Sequence, residues 1–119
     1  MQTVNPDNYQ QQLDEKLTEL RTTFRDISLP EKIEVYPSEP LHFRMRAEFR
    51  IWHENGRAHF AMNETGQKTP YIITEFPIGS VLINRLMTSL TIEINASSIL
   101  SRRLFSVEFL TTLSGDALI

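Results

Sequence analysis

Residues 42–59, HFRMRAEFRIWHENGRAH, alternate apolar and polar side chains, and Arg44, Arg46 and Arg50 all fall on the polar set. On a strand, side chains two residues apart recur on one face every ~6.8 Å, close to the phosphate spacing along a nucleic-acid strand. Such a row can act as an anion-binding strip. Trp52 shares that face, and Arg102-Arg103 stand just ahead of Phe105. Together they supply aromatic and cationic groups of the kind that stack on unpaired RNA bases. The plainer alternative is a solvated strand face in which Glu48 neutralises one arginine. The pattern alone is compatible with both.

Other chemistries lack their parts. The 119 residues include no cysteine, which excludes disulfides, Cys–zinc sites and a cysteine nucleophile within this chain. The three histidines, His42, His53 and His59, have no clustered carboxylates and read as strand residues rather than metal ligands. The four glycines at 56, 66, 79 and 115 lie apart, so there is no phosphate-cradling loop. No Ser/His/Asp arrangement has local support. The chain is therefore expected to hold no catalytic, cofactor-binding or metal-binding residue of its own.

Charge is uneven along the chain. The net charge is −3, with four Lys/Arg against eight Asp/Glu in residues 1–41 and eight against seven in 42–119. The acidic excess belongs to the N-terminal segment and the arginines come later. Local patches, not net charge, decide binding. No apolar run approaches the ~20 residues that span a bilayer. The opening MQTVNPDNYQQQLDEK is too polar for a signal peptide, so a cytoplasmic, non-membrane protein is expected.

The elements that must position these groups follow from periodicity. In residues 7–25 the apolar positions 9, 13, 17, 20 and 24 form one helical stripe, with Asp7 after Pro6 as the expected cap. So narrow a stripe has to lie on something else. IEVYPSEP reads as an extended linker. Phe43, Met45, Ala47, Phe49 and Ile51 form the core face of a strand; Arg44, Arg46, Glu48, Arg50 and Trp52 form the other. Asn55-Gly56 is a strong hairpin signal, because a type I′ turn needs positive φ at both central residues. A two-residue turn then pairs Glu54 with Arg57, His53 with Ala58, Trp52 with His59, Ile51 with Phe60 and Phe49 with Met62.

TPYIITEF reads as a short strand. Residues 77–94 read as a helix with Ile78, Leu82, Leu86, Leu90 and Ile94 on its stripe, widened by Val81, Ile83 and Met87, and with Pro77 in its first turn. LFSVEFLTTLS alternates as a strand with Phe105, Val107, Phe109, Thr111 and Leu113 on one face, and SGD turns it back into ALI. The expected fold class is α+β: an N-terminal helix, then an antiparallel sheet of about four strands with one helix packed across it. The expected units are 1–41, helix and Pro-containing linker, and 42–119, a binding domain. Because ALI opens a returning strand, a longer natural chain is expected.

FRMRAEFRIWH, the FP…LINRLM segment and LFSVEFLTTLSGDALI together resemble the N-terminal third of the bacterial tRNA (uracil-5-)-methyltransferases. The resemblance runs from about residue 9 to the last residue. It implies an S-adenosylmethionine-dependent parent enzyme that makes 5-methyluridine in the T-loop of tRNA. There, a cysteine attacks C6 of uracil, the methyl group passes to C5 and a carboxylate removes the C5 proton. That machinery and the Rossmann-like cofactor domain belong to the C-terminal part. The resemblance further implies that this region helps bind the T-arm, with Arg50 as an RNA contact and Phe105 as a ring entering the refolded T-loop when the target base flips out. Arg44, Arg46, Arg102 and Arg103 are the further phosphate candidates.

The two routes agree on Arg50, which alternation also exposes. They conflict on Phe105, which alternation assigns to the core. Two readings from other classes stay open: a stand-alone protein-interaction module that recruits a partner strand at its sheet edge, and a small non-enzymatic RNA-binding protein. Self-association through apolar surface that a missing part would cover is also an expectation.

Overall fold

The computed structural model describes residues 4–119; residues 1–3 of the expected N-terminal unit lie outside the described residues. Its elements are a helical turn at Pro6–Asn8, then α1 (Tyr9–Thr23), β1 (Arg46–Glu54), β2 (Arg57–Met62), β3 (Tyr71–Ile72), α2 (Val81–Ala96), α3 (Leu100–Arg103), β4 (Ser106–Thr111) and β5 (Ala117–Leu118). The fold is α+β. All strands join one antiparallel sheet in the order β3-β2-β1-β4-β5.

The hairpin is built by its turn. Asn55 at φ 52° and Gly56 at φ 74° reverse the chain, and the ladder pairs Glu54 with Arg57 back to Arg50 with Ala61. The expected Phe49–Met62 step lies just beyond that ladder, because Met62 pairs outward with Tyr71 of β3. On one sheet face Phe49, Phe60 and Phe109 contact one another edge-on or tilted at 5.7–6.0 Å, and Phe76 adds an edge at 5.1 Å. Ile83, Met87 and Ile94 of α2 close over them. This is the molecule's core.

The buried face of α2 keeps Ile94 from the expected stripe and otherwise falls on its widening residues Ile83 and Met87. Ile83, Met87 and Ile94 are buried, whereas Val81 is exposed and Leu82 and Leu86 are half-buried. The helix also starts later than Pro77, at an N-cap where Ser80 Oγ accepts from the Ile83 amide at 3.1 Å. Ser80 is placed by a buried relay: its hydroxyl lies 2.7 Å from Thr111 Oγ1, which donates to the Met45 carbonyl at 3.1 Å. A carbonyl cannot donate, so the Ser80 hydroxyl must be the donor to Thr111. Gly79 lies in the turn before this cap because a Cβ there would stand 2.7 Å from the Phe76 ring.

Two side-chain amides finish the packing. Asn84 Nδ2 donates to the carbonyls of Phe76, Gly79 and Ser80, and its Oδ1 accepts from the Phe76 amide at 2.8 Å. Asn95 reaches from α2 to the outer edge of β2, accepting from the Ala58 amide at 2.8 Å and donating to its carbonyl at 3.0 Å. It satisfies a strand edge that the two-residue β3 is too short to cover.

The N-terminal helix departs from expectation. Asp7 does not cap it; the residue lies within the preceding helical turn, and the N-cap Asn8 makes no side-chain cap bond. No residue of α1 is fully buried: Tyr9, Leu13 and Leu17 are half-covered, and Leu20 and Phe24 are exposed. The helix is held at its ends, by Tyr9 Oη accepting from the Ser38 amide at 2.8 Å and by Arg21 donating to the Glu31 carbonyl at 3.0 Å. The radius of gyration is 18.3 Å, against about 13.5 Å expected of a compact chain of this length.

A candidate nucleic-acid interface

The sheet face opposite α2 is open, and β1 supplies its central row. Arg46, Glu48 and Arg50 are exposed there, and Trp52 is half-buried. Arg50 stands opposite Ala61 on one side and Ser106 on the other. Residues directly paired across strands share a face, so Arg50 rises between two small neighbours. Ala61 is nevertheless only 1% exposed and forms the floor of a shallow groove of about 470 Å³, lined by Glu48, Arg50, Met62, Asn63, Phe105 and Ser106.

Phe105 lies on the wall of this groove and is 84% exposed. This overturns the core position that alternation assigned to it. β4 begins one residue later, at Ser106, and the chain enters it from α3, a four-residue helix that periodicity did not foresee. Only the backbone of Phe105 joins the sheet, its carbonyl accepting from the Ile51 amide at 2.7 Å. Just before it, His53 Nε2 lies 3.2 Å from the Leu104 carbonyl, so both ends of the Leu104–Phe105 step are tied to β1. The ring is held at a fixed place without being packed. Leu113 is likewise exposed, beyond the end of β4.

The arginines do not form one continuous strip. Arg44 lies ahead of β1, in a segment that turns at His42 (φ 56°) and bridges Gly79 in parallel. This turn also leaves Phe43 exposed rather than in the core. The Arg44 Nε donates to the Arg46 carbonyl at 3.2 Å, and the residue lines a separate cleft with Tyr9, Lys16, Phe43 and Ile78. Arg46 hydrogen-bonds the carboxylate of Glu108 on β4. That bond and the charge of Glu108 hold its guanidinium above the ordinary arginine range. Arg102 donates to the Ser98 carbonyl at 2.8 Å, while Arg103 stands exposed at the last turn of α3. Arg50 has neither ion pair nor side-chain hydrogen bond among the described residues. Among those same residues no three His, Cys, Asp or Glu side chains lie together as a metal site would require, and no helix is long and apolar enough to cross a membrane.

Fold and groove define a class: an α+β unit with one helix-covered sheet face and one open face bearing a free arginine beside an exposed phenylalanine. The chain belongs to the tRNA (uracil-5-)-methyltransferase family, whose sequence model matches residues 8–119. It is 51% identical over 111 residues to the tRNA/tmRNA (uracil-C(5))-methyltransferase of Cellvibrio japonicus (strain Ueda107), an overlap of 93% of this chain and 30% of that protein. Against the enzyme of the same description from Pseudomonas fluorescens it is 47% identical over 118 residues, 98% of this chain and 32% of that one. The Vibrio atlanticus (strain LGP32) relative is 45% identical over 116 residues, 98% and 31% of the two chains. The chain thus spans about a third of the length of these relatives.

Proposed function

We propose that this chain is the tRNA-recognition part of an S-adenosylmethionine-dependent uracil-C5 methyltransferase, and that its open sheet face binds the T-arm. The observation that carries this is the meeting of Arg50, on β1, and Phe105, just ahead of β4, in one groove although they stand 55 residues apart in sequence. A free guanidinium beside an unpacked ring offers the two contacts that single-stranded RNA takes best, a phosphate bond and a base stack. Residues 42–119 form the recognition unit in this reading, preceded by helix and linker in 1–41. Arg103 and Arg102, on α3 and separated from Phe105 by Leu104, extend the cationic rim, while Arg46 and Arg44 contribute from the N-terminal side of β1.

The chain alone transfers no methyl group in this reading. A uracil-C5 methyltransferase of the kind the family resemblance implies needs a cysteine nucleophile, and this sequence contains no cysteine. Purified chain incubated with S-adenosylmethionine and T-arm RNA should leave the RNA unmethylated yet bind it, and methyl incorporation would contradict the assignment of roles. Self-association is part of the same proposal, through the exposed Leu110–Leu118 pair on the open face. Sedimentation that stays monomeric at high concentration would remove it.

Binding is tested by fluorescence anisotropy with a labelled T-arm hairpin across a salt series. Affinity should fall steeply with salt as phosphate contacts release counterions. A flat salt response, or equal affinity for an unrelated duplex, would refute the T-arm reading.

A further inference from the structure

The groove contains one charged group that T-arm binding leaves unexplained, the carboxylate of Glu48. We propose that Glu48 selects the nucleobase that stacks on Phe105, accepting hydrogen bonds from an amino-bearing base edge; the inference rests on the T-arm reading above.

Glu48 stands directly opposite Glu108 in the β1–β4 ladder. Thr111 donates to the Met45 carbonyl and Ile51 to that of Phe105, so the hydrogen-bonded pairs are the odd-numbered residues of β1. Glu48–Glu108 is therefore a non-bonded pair, the kind in which side chains approach most closely and in which like charges oppose folding. Arg46 relieves this by hydrogen-bonding Glu108, and the nearby charge of Glu48 also favours its guanidinium. Glu108 and Arg46 are thereby occupied with each other, and Glu48 is left with no hydrogen bond or ion pair among the described residues. Its charge supports Arg46 from a distance, but its carboxylate oxygens have no hydrogen-bond donor among the described residues.

Its surroundings give it a use. Glu48 and Arg50 are alternate residues of one strand, so an acceptor and a donor stand side by side above the small floor of Ala61 and Ser106. Phe105 supplies the stacking wall, and Asn63 both donates and accepts at the rim. With Arg50 on a phosphate, the remaining acceptor must meet donors on the base. Guanine offers N1–H and its 2-amino group side by side, matching the two carboxylate oxygens. Cytosine and adenine offer an amino group. Uracil offers one N–H flanked by two carbonyls, which the carboxylate repels. The groove therefore takes an amino-bearing base, guanine best, and the uracil to be methylated does not sit in it.

The test uses T-arm hairpins in which each unpaired loop base is replaced in turn by its amino-lacking analogue: inosine for guanosine, purine riboside for adenosine, 4-deoxycytidine for cytidine. Wild-type chain should lose about five- to tenfold in affinity at one loop position, and Glu48→Gln should bind the parent hairpin about that much more weakly while becoming indifferent to the replacement. If Glu48→Gln instead raises affinity equally for every hairpin, the carboxylate is only a repulsive surface charge and the proposal fails. The proposal also fails if the same position stays sensitive in the variant, or if wild type is indifferent at all positions. In both cases T-arm binding itself survives. If wild type binds no hairpin, both readings fall.

Discussion

Replacing Phe105 by alanine separates a binding ring from a core ring, because the two roles predict opposite balances of stability and affinity. At 84% exposed, the residue keeps only about a sixth of its surface covered. For a phenylalanine of roughly 200 Å² that is about 30 Å², or ~0.8 kcal/mol at 25 cal/mol per Å². Phe109, in β4 four residues after Phe105 and fully buried, is the internal control; its alanine variant should lose about 3–5 kcal/mol. A base stacked on an aromatic ring contributes about 1–3 kcal/mol, so Phe105→Ala should weaken T-arm binding by about 5- to 150-fold. Urea unfolding and hairpin anisotropy on the same preparations read both quantities. A stability loss approaching that of Phe109→Ala would refute the exposed position, and unchanged affinity with an unchanged fold would refute the stacking role.

Arg50→Ala, with no internal partner to orphan, should leave the unfolding midpoint nearly unchanged, cost about 1–3 kcal/mol of RNA affinity and lower the salt slope by about 0.7–0.9; anisotropy at several salt concentrations checks all but the first. Arg46→Ala should weaken binding less than Arg50→Ala, since Glu108 already engages its guanidinium, and the reverse order would show that the clasp opens for RNA. Gly79→Ala forces a Cβ to within 2.7 Å of the Phe76 ring and should destabilise by about 1–3 kcal/mol, read by urea denaturation. Asn95→Ala leaves the Ala58 amide and carbonyl without their partner; a similar cost of about 1–3 kcal/mol is expected, with faster amide exchange at Ala58 as its local signature.

The parts legible in the sequence are those set by short-range rules. Asn55-Gly56 dictates its turn whatever surrounds it, and the turn then fixes the register from Glu54–Arg57 to Arg50–Ala61. Alternation fails where an element ends, because it carries no signal for the end. It carried the face of Val107 and Phe109 back to Phe105, one residue before β4, and that of Ala47 forward from Phe43, which the turn at His42 removes from the strand. The exposed Phe105 was visible only through family resemblance. Ser80, Asn84, Asn95 and Thr111 were invisible for another reason: each acts by bonding groups that folding brings close, such as Ser80 to Thr111 across 31 residues. The opposition of Glu48 and Glu108 is equally non-local, since it exists only once β1 and β4 pair.

The most direct test of the central claim is an amide chemical-shift map of the 119-residue chain titrated with a T-arm hairpin. Binding in the groove should concentrate the shifts at residues 48–50, 61–63 and 103–106, its walls and floor, and spare the buried face under α2. Shifts centred on α1 or on the β4–β5 edge, with the groove unmoved, would contradict it.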